Sequence, residues 1–196
     1  MLRVAGVASI VSDHLTDIKL NKNLLVTIML LHDMGNILKF DLSKPDLLDS
    51  TDQQRIDQIK SIQNKFKNNY SSDCDLATLS ILKELGVGES GISLCRDSHG
   101  SDLPKFLHTN DWDKKISFYS DMRVGPFGIV SLDNRFQDLI NRYPDSANQN
   151  RITWKLAQKL EHQIQLHCSL DLSTITDATV APTIFKLQVH SLTFPV

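Results

Sequence analysis

One stretch restricts the fold of this chain more than any other. From Lys22 to His32, the residues Leu24, Leu25, Val26, Ile28, Met29, Leu30 and Leu31 leave almost no polar face. A helix that is apolar nearly all round belongs in the middle of a bundle, with other elements packed on every side. Asn21 stands where an N-terminal cap is needed, and Gly35 where the helix must end or kink. The apolar run is far shorter than a bilayer requires, so no membrane partner is expected.

The helical period recurs along the chain. Val4, Val7, Ala8 and Val11 mark one face of a helix from Leu2 to about Thr16. Ile56, Ile59, Ile62, Phe66 and Tyr70 mark another over Ser50 to Asn69, and Asp75 to Leu85 forms a helix closed by Gly86. Gly88 to Leu103 reads as a short helix with loops. Further helices are expected over Trp112 to Met122, over Ser131 to Tyr143 with Ser131 as cap, over Ala147 to Cys168, and from a capping Asp177 to Val189. Only 8 glycines and 6 prolines interrupt the chain, and no hairpin is read. The fold class is therefore all-α, a bundle of about nine helices.

A length of 196 residues suits one domain with its own core. Residues 1–145 are taken as the main domain and 146–196 as a C-terminal helical annex packed on it. The mixed charged and apolar face of the long helix also allows a homodimer. The formal net charge of -2 leaves no broad basic field, which argues against duplex nucleic acid as a partner. Cys74, Cys95 and Cys168 form no CxxC pair and read as free thiols, which places the chain in a reducing cytoplasm. Met1 to Val11 lacks the cleavage site of a signal peptide and runs on as a helix.

The apolar helix ends in His32-Asp33. A carboxylate at such a place is costly unless something compensates it, and imidazole and carboxylate are both ligands for divalent metals. The two side chains equally suit a structural hydrogen-bonded pair at a helix end. The stretch Leu30-Leu31-His32-Asp33-Met34-Gly35-Asn36 resembles the LLHDIGK-type signature of the HD superfamily of metal-dependent phosphohydrolases. Tyr119-Ser120-Asp121-Met122-Arg123-Val124, with Gly125-Pro126-Phe127-Gly128 after it, is similar to a second motif of small HD proteins. Together the two resemblances span most of the chain.

The resemblance implies an HD-type helical bundle with a divalent metal ion (Mn, Fe, Ni, Co, Zn or Mg) held by His32, Asp33 and Asp121. It implies hydrolysis of a nucleotide or other small phosphorylated metabolite. Asp33 then accepts a proton from the attacking water, and Arg123 clamps a phosphate with its planar fork. On a helix Arg123 points away from Asp121, so that role requires the helix to end near Met122. Lys39 and Arg135 are further candidates for the phosphate contact. A catalytically weak or inactive HD scaffold that binds nucleotide is the alternative reading.

Three departures from the pattern motivate that alternative. The family's first histidine is expected one residue before Met1; either it lies upstream of the written start or this form lacks it. His14 lies roughly 20 Å further along the helix by its rise and does not replace it. Ser72 to Thr78 offers Asp73, Cys74 and Asp75 where relatives carry a histidine, and Asp75 either binds a cation or caps the helix beginning there. Asn36 replaces a lysine common in relatives. His99 and His108 flank a polar loop and form a candidate second site, against the simpler reading of exposed loop histidines.

Overall fold

The computed structural model describes residues 1–44 and 50–189. The fold is all-α, as the periodicity predicts. Among the described residues the helices are α1 (Leu2–His14), α2 (Lys22–Leu31), α3 (Ser50–Gln54), α4 (Ile56–Asn69), α5 (Cys74–Glu84), α6 (Glu89–Arg96), α7 (Leu103–Phe106), α8 (Trp112–Met122), α9 (Leu132–Arg142), α10 (Ala147–Leu166) and α11 (Asp177–Leu187). A 3-10 turn, Asn36–Lys39, follows α2. Two isolated antiparallel bridges, Leu15 with Cys168 and Val124 with Ile129, are the only β contacts among the described residues. No helix among them is long and apolar enough to cross a membrane.

The helix count exceeds the expected nine. The segment expected as one helix from Ser50 to Asn69 is two, α3 and α4. The Arg55 N–H donates to Asp52 O at 3.1 Å, an i→i−3 bond that tightens the chain, and Arg55 takes a non-helical φ of −108° and ψ of 13°. The cap of α11 is Thr176, not Asp177: the Thr176 and Thr179 side chains each accept the other's backbone N–H, a capping box. Likewise Asp73, not Asp75, caps α5, its carboxylate accepting the Leu76 N–H at 2.9 Å. In both places the expected cap sits one or two residues inside the helix that it was to start.

The chain divides into two compact units. The first comprises Met1–Leu30 and the described residues from Ser93 onward. Here α1 packs on α8 and α11, and α10 packs on α7, α8 and α9. Val4, Val7, Ala8 and Val11 of α1 are buried, as are Leu25, Val26, Ile28 and Met29 of α2. Full burial of such side chains contributes roughly 1.5–3 kcal/mol each. Gly6 sets the approach of α1 to α11, because a Cβ there would lie 2.4 Å from Val180 Cγ1. The bond from Arg3 Nε to Asp177 Oδ1 at 2.6 Å closes the same pair of helices at one end.

The second unit is Leu31–Ile92. Its α4 and α5 both pack on the 3-10 turn. Ala77, Ile81 and Leu82 of α5 are buried, with Leu42 and Val87.

Candidate functional site

The α-helical ladder of α2 stops at Leu31, and the chain continues in tight turns. The N–H groups of Met34, Asn36 and Leu38 donate to the carbonyls of Leu31, Asp33 and Gly35 at 3.2, 3.1 and 3.0 Å. This is how the sequence places His32 and Asp33 just past a helix C-terminus, whose partial negative charge favours a cation beside it. His32 Nε2 lies 3.4 Å from Asp33 Oδ2, with the imidazole 14% and the carboxylate 34% exposed. The structure thus brings these two expected site residues together in one unit.

Two polar side chains that sequence reasoning passed over hold the backbone after the doublet. Thr78 Oγ1, from α5, accepts the Gly35 N–H at 2.9 Å and donates to Cys74 O at 3.0 Å. Gly35 is required for this contact, since a Cβ there would lie 2.2 Å from Cys74 O. Gln63, from α4, donates through Nε2 to Ile37 O at 3.0 Å and to Phe40 O at 2.9 Å, and its Oε1 accepts from Lys67 Nζ at 3.0 Å. The available signal was a polar residue at a buried helical position: Thr78 lies between buried Ala77 and Ile81, and both Thr78 and Gln63 are buried. Cys74 Sγ donates to Asn36 Oδ1 at 3.3 Å. Burial pushes the Cys74 thiol upward in pKa, and the nearby Lys39 ammonium opposes that shift.

Asp121 and Arg123 belong to the first unit. Asp121 is the penultimate residue of α8 and half-buried, and α8 ends at Met122 as the phosphate reading required. Arg123 nevertheless does not present a free fork. Its side chain is buried and donates to Val130 O (from Nε, 2.6 Å), to Leu172 O (Nη1, 2.9 Å), to Ile175 O (Nη2, 3.0 Å) and to the Tyr119 hydroxyl. With four of five N–H groups engaged inside its own unit, Arg123 ties α8 to the 172–175 segment, and the expected phosphate clamp gives way to a structural role. The Tyr119 hydroxyl in turn donates to Glu161 Oε1 at 3.0 Å, and burial raises its pKa well above the ordinary phenol value despite the opposing Arg123 charge.

Beside Arg123 the first unit has an open polar cleft of ≈ 560 Å³, whose walls include Asn134, Gln158, Glu161 and His162. Among the described residues no lysine lines it, and the Arg123 fork there is engaged by the carbonyls of Leu172 and Ile175. His99 and His108 are both exposed. His167 bonds Asp17 at 2.9 Å, which lowers the pKa of that carboxyl. Arg135 lies beside Asp138 at 3.5 Å.

In donor chemistry the His32–Asp33 pair fits a divalent first-row cation: one imidazole nitrogen and one carboxylate oxygen, neighbouring and part-exposed. The described residues contain no group of three or more His, Cys, Asp or Glu side chains converged to hold an ion. What the second unit supplies by itself is therefore a pair of donors on a braced turn. Compared with known proteins, the chain matches no family model, no curated protein and no solved structure.

Proposed function

We propose that this chain is a metal-dependent phosphohydrolase of the HD type, acting on a nucleotide or another small phosphate ester. His32, Asp33 and Asp121 are its metal ligands, the set that the two motifs imply. The observation that carries the reading is the His32–Asp33 doublet, two metal-type donors 3.4 Å apart at the end of an apolar helix. A bound divalent cation supplies an acidified water and polarises a phosphoryl oxygen. The chain's own part is to hold the donors and to take up a proton. His32, part-buried, offers its imidazole nitrogen, and the more exposed Asp33 carboxylate accepts the proton released by the water. Cys74, Cys95 and Cys168 form no disulfide, which fits the reducing, cytoplasmic setting proposed for the chain.

A phosphatase screen with Mn²⁺, set against the His32→Ala variant and against chelator, tests the proposal. Hydrolysis of at least one nucleotide or sugar phosphate, abolished by both treatments, is the expected result. Metal uptake with no hydrolysis of any ester contradicts the enzyme. One observation favours the second reading, a nucleotide-binding HD scaffold without turnover: the Arg123 fork is already committed to carbonyls of its own unit. On that reading the same screen gives nucleotide-dependent stabilisation but no product.

A further inference from the structure

The open cleft of the first unit has the dimensions of a ligand site. Its volume of ≈ 560 Å³ lies within the range of small-molecule pockets, about 300–1,000 Å³, and far exceeds what a bare ion needs. One wall is a face of α10, where Gln158, Glu161, His162 and Gln165 follow the i, i+3, i+4, i+7 spacing that brings side chains to one side of a helix. The other walls come from the 129–134 and 171–176 stretches. Arg123 ties those stretches together through Val130 O, Leu172 O and Ile175 O, and α10 packs on α8 and α9. The walls are thus fixed to one another.

Within this cleft Glu161 is held ready for a partner. The buried Tyr119 hydroxyl, itself a hydrogen-bond partner of Arg123, donates to Glu161 Oε1 at 3.0 Å. Among the described residues Oε2 accepts no hydrogen bond, and the side chain is 35% exposed. A buried network therefore fixes the carboxylate at one oxygen and leaves the other open to solvent. Held in this way it loses little freedom on meeting a donor. The neighbouring side-chain amides are engaged, Gln158 Nε2 with Asp133 Oδ1 at 3.0 Å and Gln165 Nε2 with Leu170 O at 3.0 Å.

The charge of the walls selects the partner. Among the described residues their ionised side chains are Arg123, Glu161 and Asp171. Arg123 and Glu161 offset each other, with Nη1 3.9 Å from Oε1. Asp171 remains, and its hydrogen bonds from Ser173 hold that carboxyl below the usual carboxylate range. With His162 neutral the walls carry an excess of negative charge, which draws cations and repels anions. No three or more His, Cys, Asp or Glu side chains among the described residues converge to hold a metal ion. The fitting cation is one that brings its own hydrogen-bond donors.

We infer that this cleft binds a small organic cation with N–H donors, an amine, amidine or guanidine, whose charged end bonds Glu161 Oε2 and whose carbon part lies on the part-exposed Ile129 and Val130. The inference does not rest on the phosphohydrolase reading, and either can fail alone. The test is titration of the ¹⁵N-labelled full chain with benzamidine, benzamide and benzoate, three ligands of one shape and different charge, followed by amide chemical shifts. Benzamidine should bind saturably, with shifts concentrated in residues 129–134, 158–165 and 171–176. Benzamide should bind roughly tenfold more weakly or less, and benzoate not at all. Glu161→Gln keeps an acceptor for the Tyr119 hydroxyl and should weaken benzamidine roughly tenfold or more. Asp17→Asn, which removes a carboxylate outside the cleft, should bind like wild type.

Benzoate binding as tightly as benzamidine, equal benzamidine affinity in wild type and Glu161→Gln, or shifts centred outside these segments overturns the assignment. An equal loss in Asp17→Asn, or no saturable benzamidine binding to wild type, does so as well. Should Glu161→Gln lose its helical content, the ranking of the three ligands on wild type and the location of the shifts decide.

Discussion

The Gly35 backbone N–H donates to Thr78 Oγ1 at 2.9 Å in a buried setting, 43 residues away in sequence. That bond locks the residue two positions after Asp33 to the first turns of α5, and it leaves no room for a side chain at position 35. The doublet is therefore mounted on a turn whose geometry is set by another helix.

Replacing Thr78 by valine keeps the shape and removes the acceptor, so the buried Gly35 N–H loses its partner. The expected cost is about 1–3 kcal/mol in urea unfolding. Thr78→Ser retains the hydroxyl and should cost about 1 kcal/mol or less. Equal midpoints for the two variants would show that the hydroxyl contributes nothing.

Gly6→Ala places a methyl group against Val180 Cγ1, at a distance of 2.4 Å before any shift. Overpacking of this kind should destabilise the first unit by about 1–3 kcal/mol. The double variant Gly6→Ala, Val180→Ala should recover part of that loss. The two substitutions touch the same space, so a double-mutant cycle should show coupling, and simple additivity would contradict the close packing of α1 on α11.

Arg123→Lys keeps the charge but not the fork. Three carbonyls and the Tyr119 hydroxyl lose partners that one ammonium cannot replace. Stability should fall by about 3–5 kcal/mol, the range for breaking a buried polar network. A phosphate clamp at Arg123 would instead show wild-type unfolding with a raised KM.

The buried Tyr119 hydroxyl gives the fold an alkaline limit. Its folded-state pKa is raised, chiefly by burial. The stability it confers is thus fully present below the unfolded phenol value near 10 and is lost as pH rises above that value toward the folded pKa, at up to about 1.4 kcal/mol per pH unit. Between pH 9 and pH 11 the urea midpoint of wild type should drop more than that of Tyr119→Phe. Parallel curves would count against burial of an ionisable phenol at this place.

How much of this was legible in the sequence depended on where each cause lies. The bounds of α8 were readable because its cap and its stop are local: the Asp111 carboxylate accepts the Lys114 N–H at 3.3 Å, and Gly125-Pro126 follows closely. The Arg55 break was not, since no glycine or proline marks it and the change is one of hydrogen-bond register. At the start of α5 two aspartates competed within three residues, and composition alone could not choose Asp73 over Asp75. Arg123 next to a helix end reads as a surface residue. The carbonyls that draw it inward come from 49 and 52 residues further along, beyond any local pattern. The doublet itself was legible, because a carboxylate after an apolar helix is conspicuous by its cost. The Thr78 and Gln63 braces were not, because each is one polar residue on a helix otherwise read for its apolar positions.

On the proposed function, the His32–Asp33 doublet holds a divalent cation, and the two motifs imply Asp121 as a further ligand. Metal content by inductively coupled plasma mass spectrometry tests it most directly, on the full chain and on a His32→Ala, Asp121→Ala double variant, after equal exposure to Mn²⁺ and gel filtration. About one metal per chain, lost in the double variant while its helical content is retained, is the predicted result. Equal metal content in both proteins, or none in either, contradicts the account.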